Sequence, residues 1–92
     1  MEDILKWAGN EIEIITFQKG KVIFKTIHGC FFELEGYELN KYDNDSIEDF
    51  LYDQPIVEIS RSVRRYNTTD TEFFIFTTDK TQLQFVRRTD ND

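Results

Sequence analysis

The chain predicts an α+β fold: an antiparallel sheet or half-barrel of about six strands, arranged as two three-stranded meanders, with a short N-terminal helix and one short helix between the meanders. Three observations predict it. A turn at Asp79-Lys80 gathers Phe74, Phe76, Leu83 and Phe85 on one face of Thr71–Arg88; glycine-bearing turns divide residues 11–38 into strand-length pieces; and the stretch from Ser46 to Pro55 carries the start and stop signals of a helix. Ninety-two residues make one domain over 1–92, large enough for a single modest core. Nine Phe, four Tyr and one Trp, against four Gly and one Pro, are the composition of strands joined by short turns.

Residues 1–9 read as a two-turn helix. Asp3 stands at the N-cap, Gly9 lies beyond the C-terminus, and Ile4, Trp7 and Ala8 fall on one stripe. A helix this short needs tertiary support, so Trp7 is expected to dock on the sheet.

The first meander is expected over 11–38. Glu11–Phe17 is a strand, Gln18-Lys19-Gly20 a three-residue turn with Gly20 in the left-handed region, and Lys21–Ile27 the returning strand. That turn places Ile15 opposite Ile23, Ile14 opposite Phe24 and Glu13 opposite Lys25. A tight turn at His28-Gly29 then sets Ile27 opposite Cys30 and Lys25 opposite Phe32, with a third strand over Cys30–Tyr37. In this register both faces are apolar: Ile12, Ile14, Val22, Phe24 and Phe31 on one, Ile15, Phe17, Ile23, Ile27, Phe32 and Leu34 on the other. Both faces then need cover, or one serves as an oligomer interface.

Gly36 to Asp45 reads as a loop. Helix 46–53 follows, opened by Ser46 with a carboxylate three residues later and closed by Pro55; Ile47, Phe50 and Leu51 share its inner face. The second meander is expected over 56–88. Its first strand, Ile56–Arg65, has Val57, Ile59 and Val63 on one side interrupted by Arg61, which predicts an edge position or a bulge near Ser60-Arg61-Ser62. Tyr66–Asp70 is a polar loop. With Asp79-Lys80 as a two-residue turn, Thr78 faces Thr81, Phe76 faces Leu83, Phe74 faces Phe85 and Glu72 faces Arg87; Phe73–Val86, Ile75–Gln84 and Thr77–Gln82 fall on the other face. A one-residue slip would scatter the phenylalanines, so the pattern specifies this register. Thr89–Asp92 is a frayed tail.

The single cysteine, Cys30, supports no internal disulfide and suits a reducing compartment. Neither a signal peptide nor an apolar run near the ~20 residues of a membrane helix is visible, so a cytoplasmic protein with no membrane partner is expected. His28 and Cys30 lack further ligands for a metal, and Asp43-Asn44-Asp45 with Glu48 departs from the calcium-loop spacing. No nucleophile elbow or phosphate-binding glycine loop is present. The expectation is a protein without cofactor, metal or enzymatic activity.

Charge carries the functional clue. The net charge is −7, and the window from Glu33 to Asp53, with eight acids and one lysine, holds all of that excess. Such a chain repels nucleic acid, so no direct nucleic-acid binding is expected. Interleaved residues of this window, Glu33, Glu35, Tyr37, Glu38, Tyr42, Asp43, Asp45, Glu48, Asp49, Tyr52 and Asp53, combine carboxylates with tyrosines, which supply rigid contact area at low entropic cost. The ordinary reading of a charge run is a solvated face. Against it, a solubility surface mixes signs, and this one does not. The window therefore predicts a contact site for a basic protein surface, such as that of a nuclease or nucleic-acid-binding effector, reached by electrostatic steering. This is the strategy of nuclease immunity proteins and of phage-encoded inhibitors of host defence, and it permits a homodimer. A structural or assembly subunit that self-associates through the apolar faces of the first meander is the alternative, with a small-ligand binder or enzyme behind it. Arg61, Arg64, Arg65, Arg87 and Arg88 could make a secondary basic patch that grips an anion, but cross-strand pairing to Glu58, Asp70 and Glu72 with protection of a sheet edge is the preferred explanation.

Overall fold

The computed structural model describes residues 11–42 and 44–90. The helix expected over 1–9, Asp43 and the last two residues lie outside the described residues. Among the described residues, seven strands form two antiparallel sheets, with one short helix between the fourth and fifth strands. The first sheet has β1 (Ile12–Gln18), β2 (Lys21–Thr26) and β3 (Phe31–Glu35) in chain order. The second has β4 (Glu38–Leu39), β5 (Glu58–Tyr66), β6 (Thr69–Thr77) and β7 (Gln82–Asp90) in the order β4-β7-β6-β5. The expected six strands of one sheet or half-barrel are thus seven strands in two sheets, because the chain changes sheet at Gly36.

The C-terminal hairpin has the register its alternation predicts, with Phe76 opposite Leu83, Phe74 opposite Phe85 and Glu72 opposite Arg87. Its turn is closed by Thr78 N–H donating to Thr81 O at 2.9 Å. Phe74, Phe76, Leu83 and Phe85 are buried and form the wall of the core. Phe24 of β2 meets that wall edge-on, 5.1 Å from the Phe76 ring and 5.3 Å from Phe85, and stacks on Phe32 at 4.6 Å. Edge-to-face contacts of this kind join the two sheets.

The first hairpin differs from expectation by one residue. Its turn is Lys19-Gly20 alone, with Gln18 opposite Lys21 and Gly20 at φ +78°, so Ile15 faces Phe24 and Ile14 faces Lys25. A register shift between Ile12 and Ile14 brings Ile12 back to the inner face. The second turn is wider than His28-Gly29: Phe24 pairs with Phe32 and Lys25 with Phe31, while Cys30 N–H donates to Thr26 Oγ1 at 3.1 Å. Consequently the sheet is not apolar on both faces in the expected sets. Val22, Phe24 and Leu34 are buried on the inner face, while Ile14, Ile27 and Phe31 are exposed.

Three segments expected as loops or tail are ordered into strands. Glu38–Leu39, within the expected loop, pairs with β7 as β4. Tyr66 and Thr69 are opposite each other, which leaves Asn67-Thr68 as a tight turn with Asn67 at φ +56°, a conformation asparagine tolerates. Thr89 and Asp90 belong to β7. β5 is an edge strand as expected, but its pairing with β6 runs without a bulge near Ser60-Arg61-Ser62.

Helix α1 (Ile47–Tyr52) begins where predicted, Ser46 Oγ accepting the Asp49 N–H at 3.0 Å. Phe50 is fully buried, and the helix packs against β1 and β7. Behind it the Gln54 side chain bonds both the N–H and, at 2.6 Å, the carbonyl of Ile12, continuing the edge of β1.

Candidate functional site

The acidic window divides into four environments. Glu33 and Glu35 project from the outer face of the first sheet, where Lys21 Nζ lies 3.5 Å from Glu33 and stands opposite Glu35. Glu38, at the start of β4, is 3.6 Å from Arg88. Tyr37 is only 3% exposed and belongs to the core, its ring 5.5 Å from Phe74; this removes it from the predicted contact surface. Asp43 lies outside the described residues.

The loop after β4 is spent on the edge of β7. Asn40 N–H donates to Gln84 O at 2.9 Å, and the Asn44 side chain accepts from Gln84 N and donates to Gln84 O. Asp45 N–H donates to Gln82 O at 3.2 Å, and its carboxylate accepts Gln82 N–H at 3.1 Å. Asparagine and aspartate at 44 and 45 therefore imitate a strand and cover an edge that would otherwise offer open main-chain groups.

What remains together is the outward side of α1. Ser46 and the apolar residues Ile47, Phe50 and Leu51 set the helix in one rotation, which turns Glu48, Asp49 and Tyr52 away from the core. Asp53, the C-cap, follows four residues after Asp49 and extends the same side. Asp45 precedes it and Tyr42 is 94% exposed; Tyr52 is 90% exposed. Glu48, Asp49 and Asp53 have no ion pair among the described residues. Three carboxylates with no ion pair among the described residues, beside the open Tyr52, present a surface that attracts a cationic partner over about a screening length of 8 Å.

The arginines are committed elsewhere. Arg87 Nη2 lies 2.6 Å and Arg61 Nη2 3.4 Å from Glu72 Oε2, Arg65 is 3.1 Å from Asp70, and Arg64 rests over the Phe73 ring at 5.8 Å. With Arg88 on Glu38, every arginine of the secondary patch has an intramolecular neighbour; Asp70 and Glu72 serve as expected, whereas Glu58 has no ion pair among the described residues. Sequence reasoning missed one member of this network. The Tyr37 hydroxyl donates to Glu72 at 2.6 Å, and its ring carries the Arg87 guanidinium at 4.7 Å. A half-buried ion pair closing a phenylalanine face needs additional donors, and that requirement was the available signal.

A cleft of about 470 Å³ opens beside the acidic loop, between Phe17 of β1 and the β4–β7 edge. Leu39, Val86 and Phe17 give it an apolar floor, while Glu38, Lys41, Tyr42 and Arg88 stand around it. Its size suits one or two partner side chains, and its rim mixes charges.

The geometry defines a small, mostly-sheet domain with two antiparallel sheets and one short helix. No family model, no curated protein and no solved structure matches the chain. No helix among the described residues is long and apolar enough to cross a membrane.

Proposed function

We propose that the protein is a non-catalytic acidic binding module of the inhibitor or immunity type, such as a phage-encoded anti-defence protein, that occupies a basic surface of a partner. A nuclease or nucleic-acid-binding effector is the partner class whose surface fits, because carboxylates held on a rigid helix can stand where phosphates would lie. One observation carries this reading: Glu48, Asp49 and Asp53 lie with Tyr52 on the outward side of α1 and have no ion pair among the described residues, although four of the chain's arginines pair with other acids. The contact surface is accordingly narrower than the whole window, centred on α1 and Tyr42. Tyr42 and the cleft beside it add apolar contact area to a charge-steered encounter.

The test is capture of basic proteins from the native host lysate at low and high salt. The wild-type chain retains a partner that is released as salt rises, whereas Glu48→Lys/Tyr52→Ala/Asp53→Lys stays folded and retains none. Equal retention by both chains would reduce the acidic helix to an ordinary solvated face.

A second reading, self-assembly through the outer face of the first sheet, is favoured by one cluster. Ile14 and Phe31 flank Lys25 in a single cross-strand row, and Phe31 is 64% exposed. Phe31→Glu disperses an assembly built on that face.

A further inference from the structure

The two edges of the second sheet are treated differently. The β7 edge is covered by β4, Asn40, Asn44 and Asp45. The β5 edge, nine residues long, receives no hydrogen bond from any described residue on its outer side, and residues 61–68 are all exposed. The register says which groups are open. Because Thr78 N–H bonds Thr81 O, the even-numbered residues of β6 bond β7 and the odd-numbered ones bond β5. Opposite them, Ser60, Ser62 and Arg64 turn their main chain inward, so the N–H and C=O groups of Ile59, Arg61, Val63 and Arg65 face outward.

Natural edges of this length carry a bulge, a proline or freely projecting charge. β5 has neither bulge nor proline, and its arginines lie back over β6, on Glu72, Phe73 and Asp70. The main chain is left open.

We infer that β5 pairs antiparallel with β5 of a second copy about a two-fold axis at Ser62, joining the two four-stranded sheets into one of eight strands. The strand is self-complementary in that register. All nine residues find an opposite: Glu58 meets Tyr66 of the second copy, Ile59 meets Arg65, Ser60 meets Arg64 and Arg61 meets Val63, and no like charges stand directly across. The outward groups at 59, 61, 63 and 65 then bond one another, as a closely paired antiparallel ladder requires. Glu58, which has no ion pair among the described residues, becomes the diagonal neighbour of Arg64 in the second copy. Among the described residues Arg64 is the arginine without a carboxylate partner, both residues lie on the same face, and the symmetry makes this pair twice. Helix α1 packs on β1 and β7, away from β5, so the dimer carries its two acidic helices at opposite ends.

Sedimentation equilibrium of the full chain over a range of protein concentrations tests this. The expected mass rises from 11.0 kDa to twice that value. Val63→Pro, which removes an outward N–H and no β5–β6 bond, abolishes the rise while the circular dichroism spectrum is retained. Should Val63→Pro unfold, the charge exchange decides: Glu58→Lys and Arg64→Glu each weaken the dimer, and the double variant restores it. A chain that remains a monomer at every concentration overturns the inference. So does a dimer that survives Val63→Pro and the single charge variants but is dispersed by Phe31→Glu, which would place the contact on the first sheet.

Discussion

Tyr37 and Glu72 are joined by a 2.6 Å hydrogen bond that ties the crossing between the two sheets to β6, an inner strand of the second. The same Glu72 oxygen takes Arg87 Nη2 at 2.6 Å, so one carboxylate receives a phenol and a guanidinium at the open end of the phenylalanine wall. Burial, then the bond to Glu72, pushes the Tyr37 hydroxyl up to about 12. The Tyr37 hydrogen bond, followed by Arg87, holds the Glu72 carboxyl below its ordinary range despite the opposing effect of burial.

Tyr37→Phe should keep the ring against Phe74 and remove only the donor, costing about 1–3 kcal/mol as a hydrogen bond to a charged group. Glu72→Gln should cost more, since half-buried Arg87 then loses its counter-charge. Urea midpoints of the two variants check the order, and an unchanged midpoint for Tyr37→Phe would remove this bond from the account of stability.

Both ends of the pH scale should register the pair, with opposite signs. Glu72 binds its proton less readily when folded, so its contribution is complete above the ordinary value of 4.5 and is lost as pH falls through the lower native value. Tyr37 holds its proton more tightly when folded, so its contribution is present below pH 10 and declines as pH rises toward 12. In that alkaline window the slope reaches roughly 1.4 kcal/mol per pH unit. Unfolding midpoints measured across pH should show the alkaline decline flattened by Tyr37→Phe and the acid loss reduced by Glu72→Gln.

Gly36 and Gly20 both have positive φ, at +76° and +78°, but only Gly36 has a neighbour. A Cβ at Gly36 would lie 3.0 Å from Arg87 Cδ, whereas nothing stands within 4 Å at Gly20. Gly20→Ala should therefore cost only the backbone term, roughly 1–2 kcal/mol. Gly36→Ala should exceed it, because Arg87 must also shift from Glu72. Equal melting-temperature losses for the two variants would contradict this difference.

Phe76 and Phe31 make a second contrast. Phe76 is fully buried, and its replacement by alanine should cost about 3–5 kcal/mol. Phe31→Ala, on an exposed face, should stay within about 0.5 kcal/mol. Denaturant unfolding of the isolated monomer measures both.

The C-terminal hairpin was legible because a two-residue turn at Asp79-Lys80 gathers Phe74, Phe76, Leu83 and Phe85 on one face, so every residue from Glu72 to Arg87 has one place. In the first hairpin, adjacent apolar residues at Ile14-Ile15, Val22-Ile23-Phe24 and Phe31-Phe32 pattern two registers equally well. The register shift between Ile12 and Ile14 and packing against Phe76 and Phe85 select one of them. The acidic window was legible as composition alone. That Tyr37 turns inward, that Asn44 and Asp45 bind β7, and that Glu48, Asp49, Tyr52 and Asp53 stay together depend on where the chain crosses between sheets.

By itself, the sequence determined the features written within a few neighbouring residues: the register of the C-terminal hairpin, the Ser46-capped helix and the sign of the charge. The tertiary structure alone decided the split into two sheets, the β4–β7 pairing and the addition of Tyr37 to the Glu72–Arg87 pair. The β4–β7 and Tyr37–Glu72 contacts join residues 35 and more positions apart, and a local pattern says nothing about which distant group will satisfy a buried donor or an open strand edge.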